Sequence, residues 1–166
     1  MMRGATTAIG TFALAAAAAG LLGGCGEGGP KRDGAGAIEQ AGETRLLTLR
    51  AGDCVSNLRE RIENPDGGHN GVPKVTAVNC SAEHDAEVLL IARLGGGDWP
   101  GFSIVEGEAA RGRSQLQPRL VRAKRAGGPL QVVSFKPTQP RWDFEDQHEI
   151  LFLALFDKRQ RGHAPN

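Results

Sequence analysis

Hydrophobic positions in this chain fall into three patterns: an uncharged run at the start, sparse alternation through the middle, and one dense apolar run near the end. From Gly4 to Gly24 no residue is charged, and Phe12 to Leu22 is apolar or small throughout. Gly26 to Glu43 is rich in Gly and charge, with Ile38 its only large apolar residue, and predicts a flexible tether. Leu46, Leu47 and Leu49 ahead of Gly52-Asp53 predict a short strand running into Cys54. Arg59 to Val72, with Pro65 and several Gly and Asn, predicts a loop. Pro73 to Cys80 reads as a second strand. Asp85 to Leu94 reads as a third, because Val88 and Ile91 favour strand and Gly95-Gly96-Gly97 stops it.

Beyond that glycine stop the period changes. Val105, Ala109, Leu116, Leu120 and Val121 recur at helical spacing, with Glu106 and Glu108 early and Arg122, Lys124 and Arg125 late, as the helix dipole favours. This predicts a helical segment from Ile104 to about Arg125, broken at Pro118. Leu130 to Phe135 reads as a strand, Lys136 to Arg141 as a turn-rich connection, and His148 to Phe156 as the central strand. The expected class is α+β: a small antiparallel or mixed sheet, one helical segment and one disulfide. The expected folded domain covers 45–158, with 159–166 a disordered tail.

The opening run changes the picture most. Leu22-Gly23-Gly24-Cys25 closes it and resembles a bacterial lipobox. Residues 1–24 then read as a signal peptide and Cys25 as the acylated first residue of the mature chain, with 25–44 as its tether. A transmembrane anchor would need about 20 strongly apolar residues, and this run is mostly Ala and Gly. Two or three acyl chains would hold the protein stably on lipid, at the outer face of the cytoplasmic membrane. Cys54 and Cys80 remain as one pair in an oxidising compartment, and their disulfide would stabilise the fold by roughly 3.5 kcal/mol. The formal charge is only +1, so nucleic acid is a poor partner.

Gly52-Asp53-Cys54, then Val75-x-x-Val78-x-Cys80, then His84-Asp85-Ala86-Glu87-Val88 resemble the septum-formation domain family of actinobacterial exported and membrane proteins. Pro100-Gly101, Phe135-x-Pro137-Thr138 and Trp142 look like its downstream landmarks. The resemblance covers roughly Leu46 to Leu155. Members typically carry a second cysteine pair, and Gly107–Leu116 and Glu149–Leu155 contain no cysteine here. The resemblance implies a link to cell division or envelope growth and no established chemistry.

Candidate chemistry gathers at His84, Asp85 and Glu87. Strand alternation puts Asp85 and Glu87 on one face, and His69 or His148 would supply a further metal donor. The competing reading has His84 and Asp85 bonded to backbone groups beside the disulfide. A Cys54–His84 nucleophile pair would require a free thiol. Ser81, His84 and Asp85 are triad residue types without a G-x-S-x-G motif, the weak basis of a hydrolase reading. Trp99 in its Gly/Pro loop and Trp142 before an acidic stretch serve either a partner surface or the core. The expectation is a non-catalytic, cofactor-free lipoprotein that binds an envelope or division protein or cell-wall material. Its alternative is a ligand- or metal-binding lipoprotein using His84, Asp85 and Glu87.

Overall fold

The computed structural model describes residues 28–63, 73–125 and 131–164. The expected signal peptide, Cys25 and His69 lie outside these residues. No helix among the described residues is long and apolar enough to cross a membrane.

The most apolar run of the sequence organises the rest. Strand β8, Glu149–Gln160, is buried without interruption from Ile150 to Phe156. Its alternate side chains feed two different cores. Leu151, Leu153 and Leu155 join Val55, Leu58, Val75, Ala86 and Val88 on one face, while Ile150 and Phe152 join Val105, Ala109 and Leu116 on the other. A strand buried on both faces reads as a continuous hydrophobic run. Its neighbours are β6, His84–Arg93, and β7, Gln131–Phe135. With β3 (Gly42–Arg45), β4 (Cys54–Val55) and β5 (Lys74–Val78) they make a six-stranded antiparallel sheet, ordered β3-β5-β4-β6-β8-β7. The α+β class and the Cys54–Cys80 disulfide are as expected, the latter with Cα atoms 5.2 Å apart.

Helix α2, Phe102–Arg125, covers one face of this sheet and runs unbroken through Pro118, against the expected break. Pro118 sits on the exposed side, as does Ser114, whose carbonyl the proline leaves without its usual N–H donor. Val105, Ala109, Gly112, Leu116 and Ala123 are buried on both sides of the proline, so docking holds the two halves collinear. Gly112 lets the helix approach closely: a Cβ there would lie 2.3 Å from the tip of the Phe152 ring. Lys136 pairs with Glu106, strapping the strand end to the helix and holding that carboxyl below the usual glutamate range by its hydrogen bond. The small contribution of this strap is present above the ordinary glutamate pKa and fades as pH falls through the lowered one.

Several segments fold differently from what the sequence predicts. Residues 46–48 form a 3-10 turn rather than a strand; Leu46 and Leu49, three apart, both reach the core. Helix α1, Leu58–Glu63, replaces the start of the expected loop, and α3, Gln139–Glu145, replaces the turn-rich connection. The segment expected as a tether is folded from its middle onward: β1 (Lys31–Arg32) and β2 (Ile38–Gln40) pair, and Ile38 is buried in the core. Arg32 fastens this hairpin, its two terminal nitrogens donating to Asp53 Oδ1 and Oδ2 at 2.8 and 2.6 Å. The folded domain therefore begins well before residue 45. At the other end, the expected disordered tail packs down: Gly162 N donates to Cys80 O at 2.6 Å, and Ala164 is buried.

One helix supplies two opposite predictions. Gly107 is exposed with no atom within 4 Å of an added Cβ, so Gly107→Ala is expected to raise stability by about 0.8–1 kcal/mol through helix propensity. Gly112→Ala meets the fully buried Phe152 and is expected to lower it by about 1–2 kcal/mol, overpacking outweighing propensity. Urea unfolding of both variants checks the pair; equal shifts would refute the close approach.

Candidate functional site

Gly95-Gly96-Gly97 ends β6, and the chain then presents Trp99 ahead of Pro100. Across from it, α3 places Trp142, and the connection into β8 places His148. The α3 helix stops at Asp146, which adopts a left-handed conformation with φ of 52°. Such a residue turns the chain sharply, and Asp is among the side chains that tolerate it. Trp142 is buried, with its indole N–H donated to Gly97 O at 2.7 Å, so the helix and the glycine loop are tied by one tryptophan.

Around that tie the aromatic rings stack into a wall. Trp99 meets Trp142 edge-on with centroids 5.5 Å apart, and Trp142 lies 4.1 Å from the His148 ring. Trp99 also meets Phe102 edge-on at 5.5 Å. The two edge-on contacts have the favourable geometry for aromatic pairs. Trp142 is thus core and Trp99 is half-buried wall of the same feature, an open cleft of about 670 Å³. Phe144 stands at its mouth 86% exposed. Asp98, Asp143 and Asp146 rim it, and among the described residues no lysine or arginine lines it. Asp146 and His148 also border a second pocket of about 390 Å³. Its wall includes Gln147, whose side-chain amide is buried with both atoms unpartnered among the described residues.

The group His84, Asp85 and Glu87 is dispersed by its contacts. His84 is fully buried; its Nδ1 pairs with Ala82 O at 2.9 Å, and its ring packs edge-on against Phe156. Asp85 accepts from the backbone N–H groups of Leu58 and Arg59, both at 3.1 Å, and so caps the first turn of α1 from another strand. Glu87 instead faces Arg119 at 3.6 Å and His163 Nδ1 at 3.3 Å, and it accepts from Ala164 N. The two carboxylates therefore make no shared site; beside Asp85 the β6–β8 register shifts, two residues of β6 spanning five of β8 between the His84–Gln160 and Ala86–Leu155 pairs. His148 is committed to the tryptophan cleft instead. Ser81 hydrogen-bonds Asn79 Oδ1 rather than His84. Cys54 and Cys80 are bonded to each other, which removes the nucleophile reading in this state.

Sequence reasoning missed Phe144, Asp146, Arg119 and His163. The acidic stretch beside Trp142 was the available signal for the first two. Nothing local in the sequence marks the others, since their roles arise from tertiary contacts.

Asp85→Ala is expected to lower stability by about 1–2 kcal/mol through loss of the α1 cap. Hydrogen exchange at the Leu58 and Arg59 amides should accelerate while tryptophan emission stays constant. Unchanged exchange would remove the capping role. The chain matches no family model, and no curated protein or solved structure is significantly similar to it. The likeness to septum-formation domains therefore rests on the residues that carry it.

Proposed function

We propose that this protein is a non-catalytic binding module, held by acylated Cys25 at the outer face of the cytoplasmic membrane, that captures a cationic group in the tryptophan cleft. The observation that carries the reading is the cleft itself: Trp99, Trp142 and His148 side by side, an exposed Phe144, and three aspartates at the rim with no lysine or arginine among the described lining residues, only the His148 imidazole 3.6 Å from Asp146. Aromatic faces attract ammonium and guanidinium groups, by about 0.5–2 kcal/mol per contact depending on desolvation. The aspartates add long-range attraction of the same sign. Its partner is an envelope or division protein, or cell-wall material, presenting a lysine-like amine or an arginine. The septum-like residue pattern favours a role at the division site.

The chain reports on its own site, because it has two tryptophans, both in the cleft, and no tyrosine. Titration with choline is expected to change the tryptophan emission saturably. The neutral isostere 3,3-dimethylbutanol should leave it unchanged at the same concentrations. Trp99→Ala should weaken choline binding about 3- to 30-fold, followed through Trp142. Equal responses to the two probes, or none, would sink the cationic reading. Anchoring has a separate test: Cys25→Ser should move the protein out of the membrane fraction, and unchanged fractionation would refute lipidation.

A further inference from the structure

The disulfide has an unusual neighbour. A nitrogen of His163 and the sulfurs of Cys54 and Cys80 all lie within 4.8 Å of one another. This closeness is built from both sides. Gly162 N donates to Cys80 O at 2.6 Å, and Ala164 N donates to Glu87, so the residues flanking His163 are each fastened beside the sulfurs. Glu87 is itself buried and held by Arg119, and it contacts His163 Nδ1 at 3.3 Å. A carboxylate on Nδ1 fixes the tautomer that leaves Nε2 free to bind a metal, the arrangement found behind metal-bound histidines.

We propose that the dithiol form of this chain is a zinc site, with Cys54 Sγ, Cys80 Sγ and His163 Nε2 as ligands, Glu87 as the orienting carboxylate and water in the fourth position. Two thiolates and an imidazole suit a soft-to-borderline divalent ion. Zinc bonds of about 2.0–2.3 Å place tetrahedral ligand atoms roughly 3.3–3.8 Å apart, so once the S–S bond is broken the sulfurs move apart while the His163 nitrogen, within 4.8 Å of both, closes on them by about an ångström. The Cα atoms, 5.2 Å apart, bring both side chains to one ion. Every copy passes through this dithiol state before its disulfide closes. Binding displaces one proton from each thiol. When a disulfide oxidant then acts, the two sulfurs lose two electrons and bond to each other. The zinc returns to water, and the oxidant takes up the electrons and two protons to become a dithiol. The disulfide and the metal are therefore exclusive occupants of one place.

The full chain in a Cys25→Ser background, so that no third thiol contributes, is reduced with a phosphine, freed of it without air, and titrated with cobalt(II). Expected are thiolate-to-cobalt charge transfer and the visible bands of tetrahedral cobalt at one equivalent, bleached by zinc and absent from the oxidised chain. His163→Ala should weaken cobalt binding at least 10-fold, and Glu87→Gln about 10- to 100-fold. Binding that ignores His163, or that is equal in the oxidised chain, overturns the site. If reduction alone loosens the fold, the thermal midpoint decides. Zinc should raise it in the reduced chain and not in His163→Ala; no rise in the former, or an equal rise in both, overturns the proposal.

Discussion

Burial of β8 on both faces is the constraint from which the architecture follows. A strand carrying seven consecutive buried residues, Ile150 to Phe156, cannot lie at a sheet edge or face water. It takes β6 and β7 as neighbours, α2 as cover on the Phe152 side, and the 3-10 turn, α1 and the N-terminal hairpin around the core on the Leu153 side. The same strand links the two sites. His148 in the aromatic cleft directly precedes it, and His163 beside the sulfurs follows its end by three residues. Both candidate groups thus sit at the two ends of this buried strand.

Peripheral segments are fixed by a second device. The buried carboxylates among the described residues, Asp53, Asp85 and Glu87, each hold a different outlying piece. Asp53 receives the Arg32 guanidinium, Asp85 the first turn of α1, and Glu87 the C-terminal residues with Arg119. A carboxylate taken out of water is tolerated when several donors satisfy it, and removal of those donors leaves a buried charge uncompensated. Loss of any one of these pieces therefore exposes the centre to an electrostatic penalty. That coupling makes short edges cooperative with the sheet.

What the sequence made legible is what local pattern encodes. The apolar run of β8, the cysteine pair, the strand at Pro73–Cys80 and the helical period after Ile104 all appear in the structure, because burial sets each of them. The misreadings share a different cause. Helix α1 is too short to persist alone and depends on a cap 26 residues away at Asp85, so nothing near Leu58 announces it. The Gly-rich segment around Lys31 has the composition of a linker, yet the Arg32–Asp53 ion pair and the burial of Ile38 order it. Pro118 removes one hydrogen bond from α2, yet buried residues on both sides of it dock the helix as one piece, which a local proline rule does not foresee. At the candidate site, Trp99 and Trp142 were legible as residues while their contact was not. The other predicted group is divided by its partners, Asp85 going to α1 and Glu87 to the C-terminal residues, which alternation along one strand does not foretell.

The Arg32–Asp53 pair also sets a leash. If the chain is fastened to lipid at Cys25, only seven residue steps separate the anchor from the point where the body takes hold. Such a length reaches at most about 25 Å and averages about 15 Å. The body could not sweep the space above the bilayer; it would rest close to the headgroups, roughly one small-domain radius away. Whatever enters the tryptophan cleft would then have to come down to the membrane surface to be met, so the geometry of attachment would select partners by their height as firmly as the cleft selects them by charge.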